Sequence, residues 1–378
     1  MLFRSTKKLR VGIISANWGA IAHLPSWRSL DNVEVTAMCT SRQETALAAA
    51  EKYNIDRPFW DYEAMCNDPD IDIIDMSTSP LQREAMATAA LNGGKHVMNN
   101  MPFAASLAGA QKLVDLSHAK GLKGSGAASM VGLPHIGLMK EMIEQGDVGE
   151  VFQVHVSWQM GFFLNIYQGF SYTWFGTEGN GTSVTRNQSS HMLNLLYYVL
   201  GCPVTSVCAN IKTQLKTWNL PDGTTMNVET DDTSHTLLNF ANGAMGTMST
   251  SWTACDSPGF SLEVFGSKGR LKLEALAYPS APTAQLFYAK SQITHAPTAA
   301  LVEVPERFFT IDGKLITVEP QDKLSGGQRI SLARLFSGFA KGITDGSDYP
   351  ITFDRCLEVQ AVIAKQYESS AARAWVDV

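Results

Sequence analysis

The first third of the chain alternates short runs of β-branched and other apolar residues with segments of helical spacing. Residues 9–14 and 33–38 are strand-like, and residues 20–30 between them are helix-like. Two such strands joined through a helix form a βαβ unit with parallel strands. The alternation continues with helices predicted at residues 45–53, 82–92 and 107–120, and with strands at 72–77, 95–98 and 123–127. This pattern predicts a doubly wound parallel sheet with helices on both faces.

The pattern changes near Pro134. A helix is predicted at residues 135–145, and residues 151–158 then alternate as a strand with two accessible faces. Closely spaced strands with turns such as Asn242-Gly243 predict an antiparallel sheet; they lie at residues 204–211, 234–240, 244–253, 261–265 and 270–275. We interpret residues 276–324 as an extended excursion with edge strands, and residues 330–343 and 353–370 as helices. The α/β architecture therefore has a Rossmann-type domain at residues 1–130 and an α+β domain with an open, largely antiparallel sheet at residues 131–378. Packing of the C-terminal helix back on the first domain is the alternative for the end of the chain.

Composition excludes several classes of protein. Of 378 residues, 45% are hydrophobic and 17% charged, which is typical of globular proteins rather than disordered ones. The net charge is −6 and no basic cluster is long enough to follow a phosphate backbone, so a nucleic-acid partner is not expected. The six cysteines show no metal-ligand or redox spacing, and no metal site is predicted. The apolar run at residues 11–14 is too short for a secretory signal, and no stretch approaches a membrane span, so a cytoplasmic protein is expected.

Several short motifs, in the same order along the chain, carry a resemblance to a known family. The motifs are Val11-Gly12-Ile13-Ile14, Asp61-Tyr62-Glu63-Ala64-Met65, Asn92-Gly93-Gly94-Lys95-His96-Val97, Gly149-Glu150-Val151 and Phe265-Gly266-Ser267-Lys268-Gly269. With these motifs the chain resembles the Gfo/Idh/MocA family of NAD(P)-dependent oxidoreductases over about residues 9–371. Residues 40–45 and the helix around His191 look most like the branch that contains the galactose-regulon co-repressor of yeasts and its bacterial oxidoreductase relatives.

The resemblance implies a dinucleotide-binding turn after the first strand. Three glycines normally provide the bend, the close approach to pyrophosphate and the helix packing. Ser15, Asn17 and Ala20 stand at those points here. Asn readily adopts a left-handed backbone, so the turn is expected to survive. A Rossmann-shaped domain that has lost its dinucleotide is the alternative.

The end of the second strand bears on cofactor choice. A carboxylate that binds the ribose diol is usual there, whereas this chain has Thr40, Ser41 and Arg42. Hydroxyls beside a guanidinium suit a 2′-phosphate, which predicts NADP, with NAD as the alternative. Arg42 as an ordinary solvated residue is the competing interpretation. Further cofactor contacts are implied for Trp18, Thr78, Ser79, Pro80, Asn99, Asn100 and Pro102.

The implied catalytic residues depart from the family pattern. The family's Glu-Lys-Pro tripeptide is represented by Asn100-Met101-Pro102, and a thioether cannot exchange a proton as the lysine does. The family's second-domain helix carries Asp, His and Asp; Asn187, His191 and Asn194 occupy these points at helical spacing. His191 is the remaining titratable group, and a purely structural histidine is the alternative.

An aromatic run lies between the first strand of the second domain and that helix. Trp and Tyr rings can stack on a cyclic ligand, and aromatic residues are also enriched at subunit interfaces. Both interpretations stay open, and the open sheet predicts a homodimer or homotetramer. The run consists of Trp158, Met160, Phe162, Phe163, Tyr167, Phe170, Tyr172, Trp174 and Phe175.

The leading functional hypothesis is an NAD(P)-binding oxidoreductase that acts on a cyclic, partly apolar small molecule such as a glycoside or an aromatic-derived metabolite. Two alternatives remain open at this point. One is a redox-neutral lyase or hydrolase that uses bound NAD(P). The other is a catalytically silent protein that senses a cofactor or metabolite.

Overall fold

The computed structural model describes residues 8–170, 172–276, 278–290, 298–317 and 326–378. The chain divides into two compact units: Met1–Gly132 with Phe309–Leu357, and Leu133–Phe308 with Glu358–Val378. The boundary near residue 130 corresponds to the one predicted from sequence, and the first unit also contains residues from the later part of the chain. Residues 309–357 belong to the first unit because their helix contributes to its core, where the Phe336 ring stacks on Trp27 with centroids 4.2 Å apart.

The first unit is built on the predicted parallel sheet. Six parallel strands lie in the order β3-β2-β1-β4-β5-β6, the strand order of dinucleotide-binding folds. The strands are β1 Leu9–Ile14, β2 Val33–Cys39, β3 Arg57–Phe59, β4 Ile73–Met76, β5 His96–Asn99 and β6 Gly124–Gly126. The helices are α1 Leu24–Trp27, α2 Gln43–Tyr53, α3 Tyr62–Cys66, α4 Pro80–Asn92, α5 Leu107–Lys120 and α8 Gly326–Thr344.

The helix predicted at residues 20–30 is shorter and differently wound. A π-helical turn covers Gly19–His23 and α1 covers Leu24–Trp27. Pro25 has no N–H to donate to the carbonyl four residues before it. The Leu24 N–H instead bonds to Gly19 O, five residues back. The proline thus accounts for the altered winding directly after the dinucleotide turn.

The second unit contains the open sheet. Nine strands lie in the order β16-β15-β14-β13-β7-β12-β11-β8-β19, and the pairings are antiparallel except β12 with β7. The largely antiparallel prediction is confirmed. The strands are β7 Val151–Gln159, β8 Val204–Lys212, β11 Thr233–Phe240, β12 Met245–Ser251, β13 Phe260–Gly266, β14 Gly269–Ala275, β15 Gln285–Lys290, β16 Ala300–Val302 and β19 Val376–Asp377.

Helices cover one side of this unit. The helices are α6 Pro134–Glu144, α7 Val184–Leu200 and α9 Phe353–Ala372. The first residues of α9 belong to the first unit.

Each unit also contains a small antiparallel strand pair. In the second unit β9 Thr217–Asn219 pairs with β10 Thr225–Asn227, and in the first unit β17 Thr310–Ile311 pairs with β18 Lys314–Leu315. Parts of the excursion predicted at residues 276–324 lie outside the described residues, but its edge strands are confirmed by β15 and β16. None of the helices in the described ranges combines the length and the apolar character that crossing a bilayer requires.

Candidate active site

The turn after β1 has the backbone that a glycine normally supplies. Ser15 has φ +133°, a region that L side chains rarely adopt. Its N–H donates to Cys39 O at 3.1 Å, and its Oγ accepts from the Asn17 N–H at 3.2 Å. Asparagine tolerates a left-handed backbone, but the positive φ of this turn lies at Ser15 and not at Asn17. The first glycine point therefore keeps its geometry without its glycine.

The glycine that the packing does require is Gly19, which the sequence interpretation passed over. A Cβ there would lie 2.9 Å from Ile13 Cγ2 and 3.3 Å from Ser15 Cβ. Only glycine allows this helical turn to approach β1 so closely. Trp18 beside it is half-buried and Ala20 is buried. The glycine two positions after Asn17 was the sequence signal that could have identified this close packing.

A buried polar group supports this helical turn from below. His23 Nδ1 lies 2.8 Å from Asp75 Oδ1, and Trp27 Nε1 donates to Asp75 Oδ2 at 2.6 Å. Ser77 Oγ lies 3.5 Å from Nδ1 and 3.4 Å from Nε2 of the same ring. Because Ser77 Oγ is almost equidistant from both ring nitrogens, it does not lie on the axis along which Nε2 would accept its proton. The arrangement therefore fixes the turn to β4 and does not resemble an activated serine nucleophile.

The residues predicted to contact the 2′ position of the cofactor ribose differ in whether their side chains are free to bind a ligand. The Thr40 Oγ1 donates to Arg42 O at 3.0 Å and lies 2.6 Å from Thr45 Oγ1. This hydroxyl therefore stabilises the start of α2. Ser41 and Arg42 are exposed, and the Arg42 guanidinium makes no hydrogen bond or ion pair with the described residues. Arg42 is the cation available to an anionic group at this end of β2.

The start of α4 supplies a second binding element. Ser79 is the N-cap residue, but its side chain makes no capping hydrogen bond, and Pro80 begins the helix. Thr78 Oγ1 lies 3.5 Å from Met86 Sδ, a weak contact. An uncapped helix start presents backbone N–H groups and a positive partial charge. These features fit a cofactor with phosphate or carboxamide oxygens.

The asparagines after β5 hold their own loop. Asn99 Nδ2 donates to Phe103 O at 2.9 Å, and Asn99 Oδ1 accepts from the Asn100 N–H at 2.9 Å. The Asn100 Oδ1 then accepts from the Met101 N–H at 2.8 Å. Both predicted cofactor-binding amides thus have bonds within the loop, and Asn99 is completely buried. Their direct role is to fix the path of the backbone.

Met101 lies in the interior of the first unit, not at an open surface. It is 5% exposed, and its Cε occupies the space where a Cβ of Gly126 would stand. The peptide bond from Met101 to Pro102 is cis, and Pro102 O accepts a hydrogen bond of 2.7 Å from Arg83 Nη2. Met101 is therefore a packing residue of the first unit.

In the second unit, α7 is anchored at its start by polar side chains. Ser183 Oγ accepts from the Arg186 N–H at 3.1 Å, and Asp231 Oδ1 accepts from the Thr185 N–H at 2.9 Å. The Tyr367 hydroxyl donates to Asp231 Oδ2 at 2.5 Å. Burial raises the pKa of Tyr367 well above its usual value, with the Asp231 charge adding to the effect. The long sequence separation between Asp231 and Tyr367 hid this anchor from sequence analysis.

The three predicted residues on α7 have different surroundings. His191 is 5% exposed, and its ring meets Trp158 edge to face with centroids 5.8 Å apart. Asn194 is completely buried and donates from Nδ2 to Ser190 O at 2.7 Å. Asn187 is half-buried. The Asn194 amide is thus hydrogen-bonded within α7. His191 carries an imidazole, an acid-base group that Asn187 and Asn194 lack.

Most of the aromatic run packs inside the second unit, where Trp218 and Trp252 are among its partners. Phe163 lies 4.3 Å from Trp218 and 4.9 Å from Trp252, centroid to centroid, and Phe175 stacks on Trp252 at 4.7 Å. Phe162 and Tyr167 are the exposed rings of the run. The run therefore forms a small aromatic core in the second unit, a role that neither the ligand nor the interface interpretation included.

No group of three or more His, Cys, Asp or Glu side chains is placed to hold a metal ion within the described ranges.

Two family models match the chain. Residues 9–125 match the model described as the oxidoreductase family with an NAD-binding Rossmann fold, and residues 136–272 match the GFO/IDH/MocA C-terminal domain. The two matches follow each other and together span most of the chain.

Individual relatives are distant in sequence. Levoglucosan dehydrogenase of Pseudarthrobacter phenanthrenivorans is 21% identical, with 98% of each chain covered, and D-apiose dehydrogenase of Paraburkholderia graminis is 22% identical, with 72% of this chain and 69% of that protein covered. Dehydrogenase aclE of Aspergillus oryzae is 27% identical, and this match spans 52% of this chain and 56% of the relative.

Solved structures share the fold. Levoglucosan dehydrogenase in complex with NADH and levoglucosan has a TM-score of 0.85 at 21% identity, covering 98% of this chain and 100% of that chain. An NAD-binding oxidoreductase from Klebsiella pneumoniae has a TM-score of 0.84 at 24% identity, covering 98% and 99%. At these identities the structural similarity establishes the fold.

Proposed function

Because this chain belongs to the GFO/IDH/MocA family of oxidoreductases with an NAD-binding Rossmann fold, we propose that it oxidises or reduces a cyclic, hydroxylated small molecule with a nicotinamide dinucleotide. The observation that carries the proposal is the turn after β1. Ser15 holds the backbone of a glycine and Gly19 permits close helix packing, so the geometry that receives a pyrophosphate is retained.

The described residues of the first unit fit such a cofactor. The turn at Ser15, the uncapped start of α4 at Ser79 and the exposed Arg42 offer backbone N–H groups and a cation to its phosphates. When bound, the nicotinamide supplies or accepts the hydride. We infer a preference for NADP, since Arg42 has no partner among the described residues and no carboxylate stands at residue 40.

For the substrate, we propose a sugar-like ring with an apolar face. Relatives are named for levoglucosan, D-apiose and inositol, which are cyclic or ring-forming polyols. Proton transfer falls to His191, because Met101 has no exchangeable proton and the Asn194 amide is bonded to its own helix. His191 binds or moves the proton of a substrate hydroxyl in this proposal.

A catalytically silent sensor is the second candidate. It is favoured by the burial of Met101 and by the internal hydrogen bond of Asn194, two side chains at positions that the resemblance assigns to catalysis. Such a protein binds the cofactor and a metabolite without turnover.

One experiment distinguishes the two. The purified protein is titrated calorimetrically with NADP⁺, NADPH, NAD⁺ and NADH, and then assayed by nicotinamide absorbance against cyclic polyols, glycosides and aromatic metabolites. Cofactor binding with turnover supports the enzyme, and binding without any turnover supports the sensor. Absence of dinucleotide binding contradicts both.

We also propose assembly through the open sheet. On its uncovered face, His155 Nδ1 lies 2.7 Å from Thr247 Oγ1 and Ser249 Oγ donates to Ser157 Oγ at 2.9 Å, while Leu237 remains exposed. A mixed polar and apolar face of this kind suits an isologous contact. Sedimentation at micromolar concentration should show a dimer or tetramer; a monomer contradicts the proposal.

A further inference from the structure

One buried cation in the first unit has no charged partner. Arg83, on the first full turn of α4, is 1% exposed. Its Nη2 donates to Pro102 O, while Nε and Nη1 have no hydrogen-bond partner among the described residues. Burial lowers the pKa of Arg83 to about 9, and no neighbouring charge contributes to that shift. A solitary buried charge is costly, so its retention calls for a physical reason.

The position of Arg83 gives that reason. Its single hydrogen bond reaches the residue directly after Met101, in the loop that Asn99 and Asn100 hold rigid. The resemblance matches this loop to the family's lysine-bearing segment, and the Met101 side chain at the position of the lysine is uncharged. The Arg83 guanidinium donates a hydrogen bond to Pro102 O and so places a fixed positive charge beside this segment. Unlike lysine, it does not exchange protons near neutrality.

We propose that Arg83 sets the redox preference of the bound nicotinamide by supplying this fixed positive charge. The inference rests on the proposed function and on the cofactor contacts that the resemblance implies for Asn99, Asn100 and Pro102 in the loop after β5. The oxidised ring is cationic and the reduced ring is neutral. A buried cation repels the oxidised form, so the protein binds reduced cofactor more tightly than oxidised cofactor. Arg83 acts on the cofactor through its field and holds the loop through Pro102.

Two substitutions separate charge from hydrogen bonding. Arg83→Gln keeps a donor for Pro102 O but removes the charge, and Arg83→Lys keeps both a charge and a donor. Arg57→Gln is the control, because it removes an arginine that is paired with Asp68 at the surface of the same unit. Dissociation constants for NADP⁺, NADPH, NAD⁺ and NADH are measured by calorimetry for each variant, and thermal melts report folding.

The readout is the ratio of the dissociation constants of the oxidised and reduced forms. Arg83→Gln should lower this ratio on the order of tenfold, as expected for one charge at the effective dielectric of a protein interior. Arg83→Lys and Arg57→Gln should keep the wild-type ratio. An unchanged ratio in a folded Arg83→Gln protein overturns the inference.

The wild-type protein provides a test that does not depend on variants that fold. If it binds the oxidised form as tightly as the reduced form, Arg83 does not have this role. If none of the four dinucleotides binds, the proposed function fails and the inference fails with it. Binding of both forms with an unaltered ratio leaves the proposed function standing and removes only the role of Arg83.

Discussion

The Met101 side chain occupies the volume that the absent Cβ of Gly126 leaves free. A Cβ built at Gly126 would overlap Met101 Cε and would lie 2.7 Å from Cys356 Sγ. β5 and β6 are neighbouring parallel strands, and the loop after β5 folds its methionine back against β6. The position that resembles the family's proton-transfer residue is therefore coupled to packing.

This packing predicts a non-additive pair of substitutions. Gly126→Ala should lower the free energy of unfolding by about 1–3 kcal/mol through overpacking, and Met101→Ala by about 2–5 kcal/mol through a cavity. The double variant should be less destabilised than the sum, because the new Cβ enters the vacated space. Urea unfolding measures all three. Gly338→Ala is the control, since among the described residues outside its own helix its Cβ would meet Tyr349 alone, at an ordinary contact distance of 3.6 Å. Strictly additive effects would contradict the coupling.

Local signals in the sequence were sufficient where an element is specified by its own residues. The bounds predicted for α5 are the observed ones, because Ser106 caps the first turn and Gly121 ends the helix with φ +65°. β1 was likewise predicted over its observed length, since its apolar run is bounded by a turn.

Long-range relationships were not readable in the same way. Met101 was matched to a catalytic position because nothing near it in sequence reveals that Gly126 on β6 leaves room for its side chain. The pairing of Trp27 with Phe336 and that of Asp231 with Tyr367 join segments far apart in the chain. Such contacts require the fold, and they decide which candidate side chains are available for chemistry.

The Ser15 backbone predicts a stabilising substitution. A non-glycine residue at φ +133° stores about 1–3 kcal/mol of strain, and glycine relieves it at some cost in chain entropy. Ser15→Gly should raise the free energy of unfolding by about 1 kcal/mol. Ser15→Ala should lower it, because it keeps the strain and loses the Oγ bond to Asn17.

A matched control for Ser15 is Asn54→Gly. Asn54 ends α2 in the left-handed region with φ +51°, which asparagine tolerates well. Its replacement should therefore gain less stability than Ser15→Gly. Denaturant midpoints compare the variants, and a neutral or destabilising Ser15→Gly shows that the turn is not strained.

Arg42 predicts selective loss of phosphorylated cofactor. Arg42→Ala should weaken binding of NADPH by about tenfold or more, the value of a charged hydrogen bond to phosphate, and leave NADH binding unchanged. Lys52→Ala, at the other end of α2, is the control and should affect neither cofactor. Calorimetric titration provides the comparison. Equal loss of both cofactors in Arg42→Ala would assign the residue to folding instead of 2′-phosphate recognition.

His135 predicts acid sensitivity of the second unit. Burial lowers the pKa of His135 from 6.5 to about 4. The unfolded chain therefore binds a proton near pH 6.5 that the folded protein binds only near pH 4, so stability falls as the pH drops through this window. The loss amounts to about 3 kcal/mol at most. His135→Gln should flatten the dependence of the unfolding free energy between pH 7 and 4 relative to wild type; identical slopes contradict the assignment.

His191 predicts the clearest separation of chemistry from folding. Among the four positions that resemble the family's catalytic groups, it is the one whose side chain is an acid-base group, because the others are Met101, Asn187 and Asn194. Turnover per folded molecule in His191→Ala should fall by about 10²–10⁴, with cofactor affinity nearly retained.

The control for His191 is His118→Ala, which removes an exposed histidine of the first unit that is paired with Asp354. It should change neither turnover nor cofactor binding. Since His191 is buried against Trp158, a structural histidine would instead give a lower melting temperature with an unchanged rate per folded molecule. Rates normalised to the folded fraction, measured beside thermal melts of both variants, separate these outcomes. A wild type without turnover, in which His191→Ala alters only ligand affinity, replaces the enzyme with the sensor.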